Sequence, residues 1–277
     1  VDSRAQNISA DDGTYGYYAA LKYEIAKDFF VRTSYENAVR IPTAVQYFGD
    51  GNLIIRNLLL APEKSSNLNL GINLRMNAPI TWGIDVSGFY REQQDLIQLV
   101  SAGDGDIPQY QNQKGVETIG IESEAFVYPI RSIRLSGNVT RLSQKITELN
   151  TINLAQVGIV GAPNPNVPDF FINSQLEYIN SSFNKLGHGL RVYLQYRFID
   201  TFNHILVGGD FNPDNWVPSQ KALSAGLTYT FTKQNISVSA NAFNLTDVYL
   251  YDNYNLPRPG RNFNLKIQFS IDERFNN

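Results

Sequence analysis

The sequence predicts an all-β fold, an antiparallel up-and-down transmembrane β-barrel with about eleven strands present, and three observations predict it. Apolar residues recur at every second position along most of the 277 residues. Tight turns alternate with long connections, and no stretch carries a helical apolar stripe of comparable length. Side chains of a strand alternate between faces, so each run has one apolar and one polar face. A closed barrel pairs its backbone groups between strands, which lets an apolar exterior and a polar lumen coexist in hydrocarbon.

The elements follow in order. Tyr15, Tyr17, Ala19, Leu21, Tyr23 and Ile25 form the first apolar row, with Lys22 and Glu24 on the other face. Phe29, Val31, Thr33 and Tyr35 come next, against Arg32, Ser34 and Glu36. Leu68, Leu70, Ile72, Leu74 and Met76 alternate with Asn69, Gly71, Asn73 and Arg75. Trp82, Ile84 and Val86 then oppose Asp85 and Ser87. Ile119, Ile121, Ala125 and Val127 oppose Glu122 and Glu124, and Ile133, Leu135 and Val139 oppose Arg134, Ser136, Asn138 and Thr140. The second half adds Phe170, Ile172, Leu176 and Tyr178, and then Leu190 to Phe198 against Arg191, Gln195 and Arg197. Leu223 to Phe231 and Ile236 to Ala242 follow, and Phe263 to Ile271 runs against Lys266 and its polar neighbours. Many runs approach the ten or so residues that cross a bilayer when tilted.

The connections carry a second signal. Short turns fall at Ala26-Lys27-Asp28, Asn77-Ala78-Pro79, Tyr128-Pro129-Ile130-Arg131 and Thr232-Lys233-Gln234, with a medium one from Ser181 to Gly187. Between them lie the long connections Asn37–Ser65, Ser101–Gln113, Gln144–Pro168 and Asp200–Gln220, and then the shorter Tyr251–Pro259. Outer-membrane barrels have this parity, with tight periplasmic turns and long external loops. Tyr15, Tyr17, Phe29, Tyr90, Phe170, Phe231, Tyr249 and Phe263 lie near strand ends, where interfacial girdles form.

Composition excludes other classes. Without cysteine there is no disulfide framework, zinc ribbon or thiol nucleophile. A net charge of −3 from 23 basic and 26 acidic side chains leaves no basic block for nucleic acid. The mean hydropathy of −0.26 and the lack of long apolar runs exclude transmembrane helices. No cofactor is implied, since neither a P-loop nor a dinucleotide fingerprint occurs.

Six segments, taken in order, resemble the C-terminal barrel half of TonB-dependent outer-membrane receptors. Tyr35–Phe48 resembles a strand-end tyrosine followed by Arg-x-Pro and a short loop helix, and Leu60–Gly71 a Leu-x-Pro-Glu-x-Ser segment. Gly120–Glu124 matches a Gly-hydrophobic-Glu-x-Glu strand, and Val167–Tyr178 and Trp216–Phe231 match strands that begin at Val-Pro. Asn241–Phe269 resembles the closing hairpin, with Asn-Leu-x-Asp and Pro-Gly-Arg elements. The residues also have local readings. Pro259-Gly260-Arg261 suits strand re-entry, and Asn244–Asp247 reads as a bulge near a strand top.

The resemblance implies a plug domain in the lumen, a TonB box preceding it, and energy delivered from the inner membrane. It implies an outer-membrane location in a Gram-negative-type bacterium and uptake of a scarce ligand, ferric siderophores most often, with haem, cobalamin and glycans open. Residues 1–277 are then expected to be one barrel segment, without the plug and TonB box, contacting the plug, lipid and an external small ligand. Eleven strands is half of the 22 of plugged transporters, and the absence of a signal-like apolar stretch in the opening VDSRAQNISADDG agrees with a second half.

Candidate sites follow. The resemblance implies that glutamates at Glu122 and Glu124, and at the Pro-Glu-x-Ser strand, clasp plug arginines. Here Asn69 stands at the latter position, a departure that bears on a full double clasp. The alternative is that both glutamates are solvated lumen residues. Arg75, Arg134 and Arg197 share the inferred lumen face and are further plug-contacting candidates. Tyr47, Phe48, Tyr110, Trp216, Tyr251 and Tyr254 are candidates for ligand contact in loops, against the alternative of loop packing.

Enzymatic readings are poor. His188 and His204 fall at opposite barrel ends, no nucleophile motif occurs, and Asp104 and Asp106 supply too few ligands for calcium. Two other readings are a complete small porin or adhesin barrel and a soluble all-β carbohydrate-binding domain.

Overall fold

The computed structural model describes residues 14–100, 108–149, 160–164, 167–203, 216–253 and 256–270. His204, Asp104, Asp106 and Tyr254 lie outside the described residues. One antiparallel sheet of eleven strands dominates, each strand hydrogen-bonded to the preceding member of the sheet. Its members are β1 (Tyr17–Ala26), β2 (Phe29–Arg40), β3 (Glu63–Met76), β4 (Thr81–Val100), β5 (Gln109–Ile130), β6 (Ile133–Leu149), β7 (Phe170–Asn180) and β8 (Gly189–Ile199). Two short strands intervene, β9 (Phe202–Asn203) and β10 (Trp216–Val217), which pair with each other. The sheet resumes with β11 (Gln220–Phe231) and β12 (Ile236–Phe243). A second small pair, β13 (Tyr251–Asn253) and β14 (Leu256–Pro257), precedes the last member, β15 (Asn262–Phe269). Among the described residues the sheet is open, because β1 pairs only with β2 and β15 only with β12. No helix among the described residues is long and apolar enough to cross a membrane, which leaves any crossing to strands.

Register turns the alternating rows into two continuous faces. Leu68, Leu70, Ile72, Leu74 and Met76 stand beside Tyr90, Gly88, Val86, Ile84 and Trp82, and the band passes on through Ile119, Ile121, Ala125 and Val127. Further along, Leu135 faces Leu176, which faces Leu194, which faces Ala225. This apolar outer face is exposed, with Leu70 at 60%, Leu176 at 49% and Leu265 at 71% of full exposure. The inner face holds the charges, yet Glu177, next to Leu176, is only 4% exposed. A water-soluble sheet protein buries its apolar face, so this inversion requires an apolar surrounding medium.

Aromatic rings bound the outer band at both ends. Tyr17, Tyr35, Tyr90, Phe170, Phe198 and Phe263 lie toward the long connections, and Phe29, Trp82, Tyr178, Tyr229 and Phe269 toward the short turns. Among the described residues Arg141 beside Phe170 and Lys221 beside Phe198 are outward charges at the level of the girdle toward the long connections, and none stands deeper in the band. An arginine there would cost about 2–4 kcal/mol at the bilayer midplane.

Several expectations need correction. Ladder pairing continues where alternation fades, so β2 and β3 extend to the Arg40–Glu63 pair, and β4 and β5 span 20 and 22 residues. Beyond the apolar medium both faces of a strand are polar, and the periodic signal disappears although the backbone bonds persist. The long connections are correspondingly shorter than the sequence indicates, and Tyr110 belongs to β5, opposite Leu99, not to a loop. Asn244–Asp247 is not a bulge within a strand. β12 ends at Phe243, and Asn244 and Asp247 both take left-handed conformations in the turn that follows. The short helix after Arg-x-Pro is present as α1 (Ala44–Phe48), capped by Thr43, whose hydroxyl accepts from the Gln46 N–H while the Gln46 side chain accepts from the Thr43 N–H.

Candidate functional site

The inner wall is a set of cross-strand rows. One runs Asn73, Asp85, Glu124, Asn138, Asn173, Arg197 across β3 to β8. Asp85 is fully engaged: Arg32 reaches it from β2 with a two-pronged contact at 2.5 and 2.6 Å, and Asn73 donates at 2.9 Å. To do so Arg32 crosses β3 over Gly71, where a Cβ would stand 3.0 Å from its Nε. Glu124, directly opposite Asp85, and Glu122, opposite Ser87, are exposed on this wall. Among the described residues neither accepts a hydrogen bond or forms an ion pair, so both carboxylates are available to a group in the lumen.

Nearer the short turns, Glu177 is held by the Arg191 Nε, and Tyr193 lies over Gly226 to donate to Asn241 at 3.0 Å. Arg75 and Arg134 both lie against Phe126, with guanidinium carbons 5.8 and 5.7 Å from the ring centre. Arg197 lines a cavity of about 280 Å³ with Asn173, Gln195, Ser224, Arg258 and Asn262. The roof of this cavity comes from the last connection, pinned where Asp247 accepts from the Arg261 N–H at 2.9 Å. The sequence sets Asn-Leu-x-Asp and Pro-Gly-Arg within one closing hairpin, and this hydrogen bond ties the two elements together. Glu177 and Arg258 are not singled out by the sequence, because their places at the ion pair and the cavity depend on neighbouring strands.

The loop aromatics fall into two groups. Tyr47 and Phe48 end α1, with rings 6.3 Å apart. Tyr47 is half-buried and its hydroxyl donates to the Leu60 carbonyl, whereas Phe48 is 66% exposed. The Tyr110 carbonyl accepts from Asn57 at 2.8 Å, which docks the α1 loop onto β5. Trp216 is half-buried on β10, and Tyr251 packs on the cluster of Ile199, Phe202 and Val217 while its backbone exchanges hydrogen bonds with Gln220. Among the described candidates Phe48 is thus an exposed one, and Tyr251 serves packing.

Near the α1 loop, Asp50 accepts N–H groups from Asn52, Leu53 and Ile54 at 2.7–2.9 Å, and these hold its carboxyl below the usual range. At the opposite end His188, 8% exposed, meets the Tyr229 hydroxyl at 2.7 Å and stacks edge-on with Phe231. His188 is therefore a rim-packing residue within its turn.

A sequence profile of TonB dependent receptor-like β-barrels matches residues 1–245. The chain belongs to the TonB-dependent receptor β-barrel family. No curated protein sequence matches it. Solved structures share the fold. One is the copper transporter OprC, at a TM-score of 0.71 and 18% identity, with 92% of this chain and 39% of that one covered. Another is BauA, the ferric preacinetobactin receptor of Acinetobacter baumannii, at 0.63 and 17%, with 90% and 35% covered. A third is a variant of the ferric enterobactin receptor of Pseudomonas aeruginosa, at 0.65 and 16%, with 92% and 40% covered. This TonB-dependent receptor barrel thus spans well under half the length of each. The family is one of receptors, and these neighbours are named as a transporter and as receptors.

Proposed function

We propose that this chain is the C-terminal barrel wall of an outer-membrane receptor that takes up a scarce ligand with energy delivered through TonB. The observation that carries the reading is an inner wall with two uncommitted carboxylates, Glu122 and Glu124, in a sheet whose outer face is apolar. In this reading a plug domain fills the lumen and its arginines meet those glutamates, since carboxylate–guanidinium pairs are strong and directional. Arg197 faces the same lumen. Phe48, with Trp216 beside the other loop group, lies at the end where an external ligand arrives.

Ferric siderophores are the favoured ligand class, because two of the structural neighbours named above are ferric siderophore receptors. The test is growth of an iron-starved strain that carries the full-length receptor as its sole such protein, supplied with single ferric siderophores. Growth that requires both the receptor and TonB is expected. Equal growth in a strain without TonB would reject active uptake and favour a passive porin.

A further inference from the structure

The inner wall carries two signs in a fixed order. Glu122 and Glu124 occupy successive inward levels of β5, and two residues beyond Glu124, toward the short turns, the same face presents Phe126. Phe126 lies flat over Gly83 of β4, where a Cβ would be 2.6 Å from the ring. Gly83 stands between Phe126 and Arg75 in register, and Arg134 approaches the ring from β6. Both guanidiniums therefore stand within 6 Å of the centre of one ring, a contact through carbon that leaves N–H donors for an acceptor.

That acceptor is missing from the wall. Neither Arg75 nor Arg134 forms an ion pair among the described residues, and the buried Nε of Arg134 has no hydrogen-bond partner. The carboxylates nearby are committed elsewhere, Glu177 to Arg191 and Asp85 to Arg32. A buried donor without a partner costs about 1–3 kcal/mol, so an arriving acceptor is favoured.

We propose that Arg75 and Arg134, held against Phe126, form a docking site for a carboxylate side chain of the polypeptide that fills the lumen. The proposal rests on the plug reading above and adds the chemistry of the partner. Two strand residues rise about 7 Å, so the docking segment presents an acidic side chain on the short-turn side and a basic one about 7 Å away, opposite Glu124. The order of signs sets which way up the plug sits.

The experiment uses the full-length receptor in detergent, with protease cleavage of the plug in urea as readout and heat-modifiable gel mobility as the measure of barrel integrity. Arg75→Gln with Arg134→Gln is expected to speed plug cleavage about tenfold at unchanged barrel mobility, the loss appropriate to one charge-assisted hydrogen bond. Arg75→Lys with Arg134→Lys keeps the charge but not the fork and should fall between. Should Arg134→Gln disturb the barrel, Arg75→Gln alone and Arg134→Lys carry the test. Unchanged cleavage in the double variant overturns the proposal. So does equal acceleration by Lys266→Gln, which removes a lumen cation from the far edge of the sheet. A wild-type receptor that fails to support ligand-dependent growth would sink the uptake reading and leave this comparison intact.

Discussion

The outer and inner faces of the same strands obey opposite rules. On β7, Leu176 points outward at 49% exposure, while its neighbour Glu177 points inward at 4%. The outer face is a continuous apolar band that tolerates small residues such as Gly88 and Ser174 without filling them in, because lipid chains conform to any contour. The inner face instead has specific partners: Arg32 with Asp85, Glu177 with Arg191, Tyr193 with Asn241. The outer face needs only a composition, whereas the inner face needs an arrangement.

The sharpest way to break this comparison is to exchange the rules. Leu194→Arg, in the middle of the outer band, should lose about 2–4 kcal/mol of stability in urea titrations in lipid vesicles. Gln175→Arg, which faces inward on the adjacent strand, should shift stability by no more than about 0.5 kcal/mol. Equal losses at both positions would mean that the outer face does not meet lipid.

A smaller effect separates the faces by shape. Gly226→Ala places a Cβ 2.3 Å from the Tyr193 ring and 2.5 Å from the Asn241 side-chain oxygen, and should cost about 1–3 kcal/mol. Gly88→Ala, on the outer face, meets nothing nearer than 3.8 Å and should be near neutral in the same titration. If Gly226→Ala were also neutral, the inner wall would be looser than its contacts indicate.

The smallest effect lies off both faces, in the α1 loop. Three backbone N–H groups lower the Asp50 carboxyl below its ordinary range, so its contribution is complete above the ordinary carboxylate range and is lost as pH falls through the lowered value. Amide exchange at Asn52, Leu53 and Ile54 should therefore accelerate at acid pH, relative to the intrinsic rate, and do so at neutral pH in Asp50→Asn. Protection that persists in Asp50→Asn would show that the loop is held by other contacts.

Much of the fold was legible because the membrane imposes a rule on every crossing residue. Leu68 to Met76 and Phe263 to Phe269 announce their faces by period alone. Legibility ends where the rule ends: β4 and β5 continue past Glu92 and Glu117 with both faces polar, and Tyr110 reads as loop although it sits in a ladder. The candidate site was legible as a face but not as partners. Glu122, Glu124, Arg75, Arg134 and Arg197 share the polar face, yet only register reveals that Asp85 is already neutralised while Glu124 beside it is not. Tyr251 reads as an exposed loop aromatic and proves to be packed, because its cluster draws on β8 and on β9 and β10, far from it in sequence.

By itself the sequence determined the strand rows, the parity of the connections and the sign of each face, since these are local consequences of a period of two in an apolar medium. Only the tertiary structure decided which inner charges are matched and which are left open. Pairing across strands depends on register and on where glycines make room, as Gly71 does for Arg32 and Gly83 for Phe126. Those relations join residues that are distant along the chain, and no local pattern encodes them.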